Sequence, residues 1–148
     1  MRLNFLPPPV VAGLAAAGMW AGSAPLSTPA PGLRLAALLC GGAGLLLMAV
    51  AAWTMRRQRT TLDPIHPERA RALVTQGVYA RSRNPIYLAD ALMLLGWALW
   101  LGQPAAGLWL AGFVVWIDRV QIAAEEPALE RLFGEAYRAY CARVRRWL

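Results

Sequence analysis

Charge chemistry in this 148-residue chain is confined to a few residues that gather around its apolar runs. Glu125 and Glu126 stand side by side just past one such run. Two adjacent carboxylates at a membrane surface are repelled by anionic lipid unless they face a cation or a polar ligand. Arg83-Asn84-Pro85 precedes another run and has the composition of a helix start, with Asn at the cap and Pro in the first turn. The unpaired N–H groups and positive partial charge of such a start suit a carboxylate, and Arg83 reinforces that charge. Read more plainly, Asn84-Pro85 only caps a helix, and Tyr79 and Tyr87 only anchor it at the interface. Asp90 follows about one and a half turns into the same segment. A carboxylate at mid-bilayer costs about 2.5–3.5 kcal/mol and less near the interface, so Asp90 is expected to face the bundle interior or a polar cavity, or else to be simply hydrated at the interface. Asp90 and Glu126 are the candidate general bases. With one His and two distant Cys, no metal site is expected.

The elements that position these residues follow from where charge is missing. The chain is 58% hydrophobic and 16% charged, against about 25% charged in an average soluble domain. Residues 3–33 and 35–55 carry no charge, and from Asn84 to Ile117 Asp90 is alone, with Gly102-Gln103-Pro104 interrupting the run. About 20 apolar residues cross a hydrocarbon layer as a helix. The expected fold is therefore an all-α integral membrane bundle in a single domain over 1–148. Its four spans fall near 9–26, 33–53, 85–101 and 104–122, and Ser27 to Gly32 forms an external turn. A secretory signal peptide is the competing reading of the first span, with Pro25 and Pro7-Pro8-Pro9 against it.

All the basic residues are Arg, and the net charge is +7. Seven of them lie in 54–83 against Asp63 and Glu68, and six lie in 118–148 against five acids. By the positive-inside rule both termini and the 54–83 loop are cytoplasmic, in the inner membrane. Basic charge placed this way sets orientation, which argues against a nucleic-acid partner. Cys40 falls within the membrane and Cys141 in the cytoplasmic tail, so no disulfide is expected. Beyond Glu125-Glu126, Pro127 suits a first helical position. Leu129, Leu132, Phe133, Ala136, Tyr137, Tyr140 and Val144 then recur at helical spacing, predicting a cytoplasmic amphipathic helix. Arg131, Arg138, Arg143, Arg145 and Arg146 would meet lipid headgroups.

Gly77-Val78-Tyr79, then Arg83-Asn84-Pro85-Ile86-Tyr87, then Glu125-Glu126 with Leu129, Phe133-Gly134, Tyr137 and Tyr140, together resemble the isoprenylcysteine carboxyl methyltransferase family and the wider phospholipid methyltransferase-like membrane enzymes. The resemblance covers roughly 62–148. It implies a membrane enzyme that uses S-adenosyl-L-methionine, most simply as a carboxyl O-methyltransferase acting on a lipophilic acceptor such as a prenylated cysteine. The cofactor would be held by the cytoplasmic elements 62–87 and 123–148. Carried over, its binding residues are Arg71, Ala72, Leu73, Val74, Tyr79, Arg83, Asn84, Pro85, Tyr87, Glu125 and Glu126. Asn84 stands where His is frequent in the family. Gln121 stands where eukaryotic members have an Arg that faces the substrate carboxylate, with Arg119 two residues earlier, so Gln121 and Arg119 are the substrate-binding candidates. Membrane sterol reductases, which bind NADPH, share a related tail and are the alternative enzyme class. A non-enzymatic four-helix protein of the small exporter type would carry an acid in its first span, and this chain has none there.

Overall fold

The computed structural model describes residues 6–22, 29–58 and 72–148 and is helical, with no strand among them. Helix α1 spans Pro8–Ala21, α2 Pro31–Arg57, α3 Pro85–Leu101 and α4 Ala106–Trp116. A π-helical segment, Ile117–Ile122, joins α4 directly to α5, Ala123–Arg143. Arg71 and the first two residues of the turn expected at 27–32 lie outside the described residues, and its last two, Pro31 and Gly32, already belong to α2.

Two stretches are long and apolar enough to cross a membrane: α2, of 27 residues, and the rod Ala106–Arg143, whose apolar part ends near Ile122. α1, with 14 residues, stops five residues short of the span expected at 9–26, whereas α3, with 17, coincides with the span expected at 85–101; both are shorter apolar helices than α2. α2 begins at Pro31 rather than Leu33, because Pro is preorganised for the first helical position. It also continues one turn past Trp53. Arg56 and Arg57 there meet the negative end of the helix, and the Arg57 guanidinium sits 4.2 Å from the Trp53 ring centre.

α3 is the central helix. It runs antiparallel to α2 along a seam of small residues, Ala37, Gly44 and Ala51, spaced seven apart and buried. A Cβ at Gly44 would lie 2.8 Å from the Ala89 carbonyl oxygen, and one at Gly96 would lie 2.8 Å from that of Ala37. Such contact brings backbones together where lipid supplies no hydrophobic drive between helices. The opposite face of α3, with Tyr87, Leu94 and Ala98, packs on α1, α4 and the π segment through Met19, Phe113 and Ile117. Trp97 donates to the Ala16 carbonyl at 3.1 Å and ties α1 to this core.

Two expectations for the last helix are corrected. Pro127 does not open it, because the helix is already continuous from α4 and Pro127 lies inside α5. Leu132 is exposed although Tyr137 and Tyr140 are buried, because Gly134 (φ 52°, ψ −124°) breaks the helix and resets its phase. A side chain rarely adopts that backbone conformation.

Gly96→Val should force α2 and α3 apart and cost about 1–3 kcal/mol of stability, a typical overpacking penalty. Gly42→Ala, at a position with nothing within 4 Å, should change it little. Unfolding midpoints in detergent compare the two.

Candidate active site

The site lies where the start of α3, the π segment and α5 converge. The π segment has a wider turn than an α-helix and turns Ile117, Gln121 and Ile122 all inward. Gln121 donates from Nε2 to Glu125 Oε1 at 2.6 Å, one turn further along. Tyr87, in the first turn of α3, donates its hydroxyl to the same oxygen at 2.5 Å. Both donors reach Oε1, and Glu125 Oε2 accepts no bond among the described residues. Burial pushes the Glu125 carboxyl above its ordinary range, and the Glu126 charge adds to this, while the bonds from Tyr87 and Gln121 oppose it.

Glu126 points into a different arrangement. It pairs with Arg83 at 3.2 Å and with Arg146 at 2.6 Å. Arg146 also bonds Asp118 at 3.1 Å, and Trp147 donates to Asp118 at 2.9 Å. The tail after α5 is thereby drawn back over the start of α3. There the Arg145 carbonyl accepts the Arg83 N–H at 3.0 Å, and the Arg146 carbonyl accepts from Asn84 Nδ2 at 2.9 Å. Arg83 also donates to the Cys141 sulfur. These bonds to Glu126 and Asp118 hold the Arg146 guanidinium above its usual range.

Asn84 occupies the cap position of α3, but its side chain makes no cap bond and holds the tail instead. This corrects the expected capping role. The tail carbonyls take up donors at the start of α3, an electrostatic match to the positive helix end.

Segment 72–80, ahead of α3, packs against α2 and α5. Leu73 packs against Tyr137, Tyr140 and Val144, and Val74 packs against Ala51 and Tyr79. Ala72 is half-buried beside them. Tyr79 sits on a short 3-10 turn, Gly77–Ala80, and its carbonyl accepts the Tyr140 hydroxyl at 2.7 Å. Burial pushes the Tyr140 hydroxyl up to about 12. The Tyr79 hydroxyl is buried with no partner among the described residues. Pro85 is fully buried at the head of α3.

Asp90 lies on the Tyr87 side of α3, one turn deeper, and is 8% exposed. Arg119 points the other way. Its side chain is 81% exposed, and it pairs with Asp118 at 3.6 Å. The structure thus brings Tyr87, Gln121 and Glu125 together, and Asp90 lies one turn from Tyr87 on α3. It places Arg83, Asn84 and Glu126 in the tail clasp and leaves Arg119 outside. Sequence reasoning missed Arg146, Asp118 and Trp147, because Arg146 read as one of several headgroup-facing cations. No group of three or more metal-ligating side chains is found among the described residues.

With this geometry in view, the chain can be set beside known proteins. The phospholipid methyltransferase family matches residues 33–136, and the chain belongs to that family. In class it is a membrane methyltransferase. It is 49% identical over 63 residues to an uncharacterized protein of Haemophilus influenzae, covering 43% of this chain and 100% of that one. It is 34% identical over 102 residues to Protein-S-isoprenylcysteine O-methyltransferase B of Arabidopsis thaliana, covering 68% of this chain and 51% of the plant enzyme. The chain therefore spans about half the plant enzyme's length. No solved structure matches it.

Arg146→Ala removes the bridge between Asp118 and Glu126 and should cost about 1–3 kcal/mol, the range for charge-assisted hydrogen bonds. Arg119→Ala, at an exposed pair, should stay within about 0.5 kcal/mol. Denaturation midpoints of the two variants test the clasp.

Proposed function

We propose that this chain transfers a methyl group from S-adenosyl-L-methionine to a lipophilic acceptor at the cytoplasmic face of the membrane. The observation that carries the reading is Glu125, a half-buried carboxylate whose Oε1 accepts from Tyr87 and Gln121 while its Oε2 accepts no bond among the described residues. The chemistry of this donor set fits the cofactor. Oε2 accepts from the ammonium or ribose hydroxyls, and the unpartnered Tyr79 hydroxyl offers a polar contact within an otherwise apolar wall of Leu73 and Val74. Tyr87 packs beside the adenosyl group. Arg71, Ala72, Asn84 and Pro85 complete the proposed binding set. Arg83 and Glu126, paired with each other, hold its cytoplasmic rim in shape.

The cofactor brings an activated methyl on a sulfonium, so the protein's share is orientation and exclusion of water. The carboxylate of a prenylated cysteine is the acceptor that kinship with the plant enzyme suggests. Such an acceptor needs no general base, being ionised at neutral pH. An acceptor dissolved in lipid enters sideways between helices, and the cofactor enters from the cytoplasm. This reading also takes the bundle as four crossings of the inner membrane with both termini cytoplasmic, as the Arg distribution supports.

Glu125→Ala should weaken S-adenosyl-L-methionine binding at least 100-fold, measured by calorimetry on purified protein, while membrane insertion is unchanged. An unaltered affinity would overturn the assignment, and tight binding of NADPH instead would favour a reductase. Binding should also fall as pH drops. Because burial raises the Glu125 carboxyl, the loss should begin above the ordinary glutamate range rather than within it.

A further inference from the structure

The end of α2 that carries Arg56 and Arg57 takes no part in the site described above. Arg34 and Arg56 bracket the uncharged stretch of that helix. About 33 Å of helix rise separates them, close to the hydrocarbon thickness of a bilayer, so Arg56 stands at the polar boundary. Consecutive residues on a helix point about 100° apart, which puts Ala49, Trp53 and Arg56 within about 40° of the direction opposite Ala51. Gly44, seven residues before Ala51, packs on α3, so the opposite face turns toward lipid. A cavity of about 560 Å³ opens on that face, lined among the described residues by Ala49, Val50, Ala52, Trp53 and Arg56. The Arg57 guanidinium lies over the same Trp53 ring, and among the described residues neither Arg56 nor Arg57 pairs with a carboxylate. An apolar recess at hydrocarbon depth under two guanidiniums is complementary to an acyl chain that ends in a phosphodiester. The same charges repel a headgroup ammonium, which favours an anionic lipid over a zwitterionic one.

We propose that this end of α2 holds one anionic phospholipid, its phosphodiester on Arg56 and Arg57 and an acyl chain laid along Ala49, Val50 and Ala52 beside Trp53. The lipid is not the methyl acceptor, because it sits on the face of α2 turned away from α3 and Tyr87. It braces the turn whose other side, at Ala51, packs on Val74 and Tyr79. The inference rests on α2 crossing the bilayer, as read under the proposed function, and not on methyl transfer.

The test places the full chain in nanodiscs of equimolar phosphatidylglycerol and phosphatidylcholine and counts the lipids it carries by native mass spectrometry. One phosphatidylglycerol should be retained per chain, at least tenfold over phosphatidylcholine. Arg56→Gln combined with Arg57→Gln should bring that preference to within threefold of unity. Ala49→Phe fills the recess from an exposed position without touching charge, and should lower retention at least fivefold. Either variant decides the case if the other fails to fold. Arg131→Gln combined with Arg143→Gln removes the same charge from exposed positions elsewhere and should leave retention unchanged. Added phosphatidylglycerol should raise the unfolding midpoint of the parent in neutral detergent and leave that of the Arg56/Arg57 variant where it was. Inorganic phosphate in excess should not displace the lipid. No preference in the parent, equal loss in the two arginine pairs, full retention in Ala49→Phe, or displacement by phosphate overturns the proposal. A chain that does not insert into nanodiscs overturns it together with the membrane reading. Every arm is run without cofactor, so a failure to bind S-adenosyl-L-methionine bears on the methyltransferase reading alone.

Discussion

Glu126 holds two guanidiniums, Arg83 at 3.2 Å and Arg146 at 2.6 Å, and the end of the bundle at which α3 begins is organised around that arrangement. Arg83 precedes α3, Glu126 lies on α5, and Arg146 belongs to the tail, so one carboxylate joins three separate parts of the chain. Asp118 and Trp147 extend the tie to the π segment. A partly buried carboxylate between two cations is compensated where a single one would be costly, and removing one partner leaves the others exposed to that cost. The clasp also brings the Arg145 and Arg146 carbonyls to the start of α3, a second and neutral layer of the same fastening.

The two neighbouring glutamates consequently have different jobs. Consecutive residues on a helix point about 100° apart, so Glu126 faces the tail while Glu125 faces Tyr87 and Gln121. The clasp supports a site that would otherwise rest on one wide helical turn. Polar groups converge on Glu125 Oε1, while Leu73 and Val74 pack in separate clusters with Tyr140 and Tyr79.

The membrane part of the fold obeys a different constraint. Lipid offers no hydrophobic gain for helix pairing, so α2 and α3 meet through glycine and alanine, with backbone atoms near enough to exclude a methyl group. The leucines and tryptophan on the far side of α2, among them Leu38, Leu46 and Trp53, are more than half exposed. They would be a liability in water and are ordinary in a bilayer.

The sequence by itself determined the helical class, the position of α3, the turn at Gly102-Gln103-Pro104 and the two motifs, Arg83-Asn84-Pro85 and Glu125-Glu126, as separate local signals. Each is a local property: an apolar run, a turn dipeptide, or a motif of contiguous residues. Tertiary structure alone decided which glutamate faces the site, that Asn84 holds the tail instead of capping its helix, that Arg146 turns inward, and that Arg119 stays outside. The helix phase at Leu132 and the start expected at Pro127 were misread for the same reason. A π segment and a break at Gly134 shift which face is buried, and a constant helical period carries no trace of either. Contacts between residues twenty to sixty positions apart depend on how the chain returns on itself, and spacing along the sequence does not encode that return.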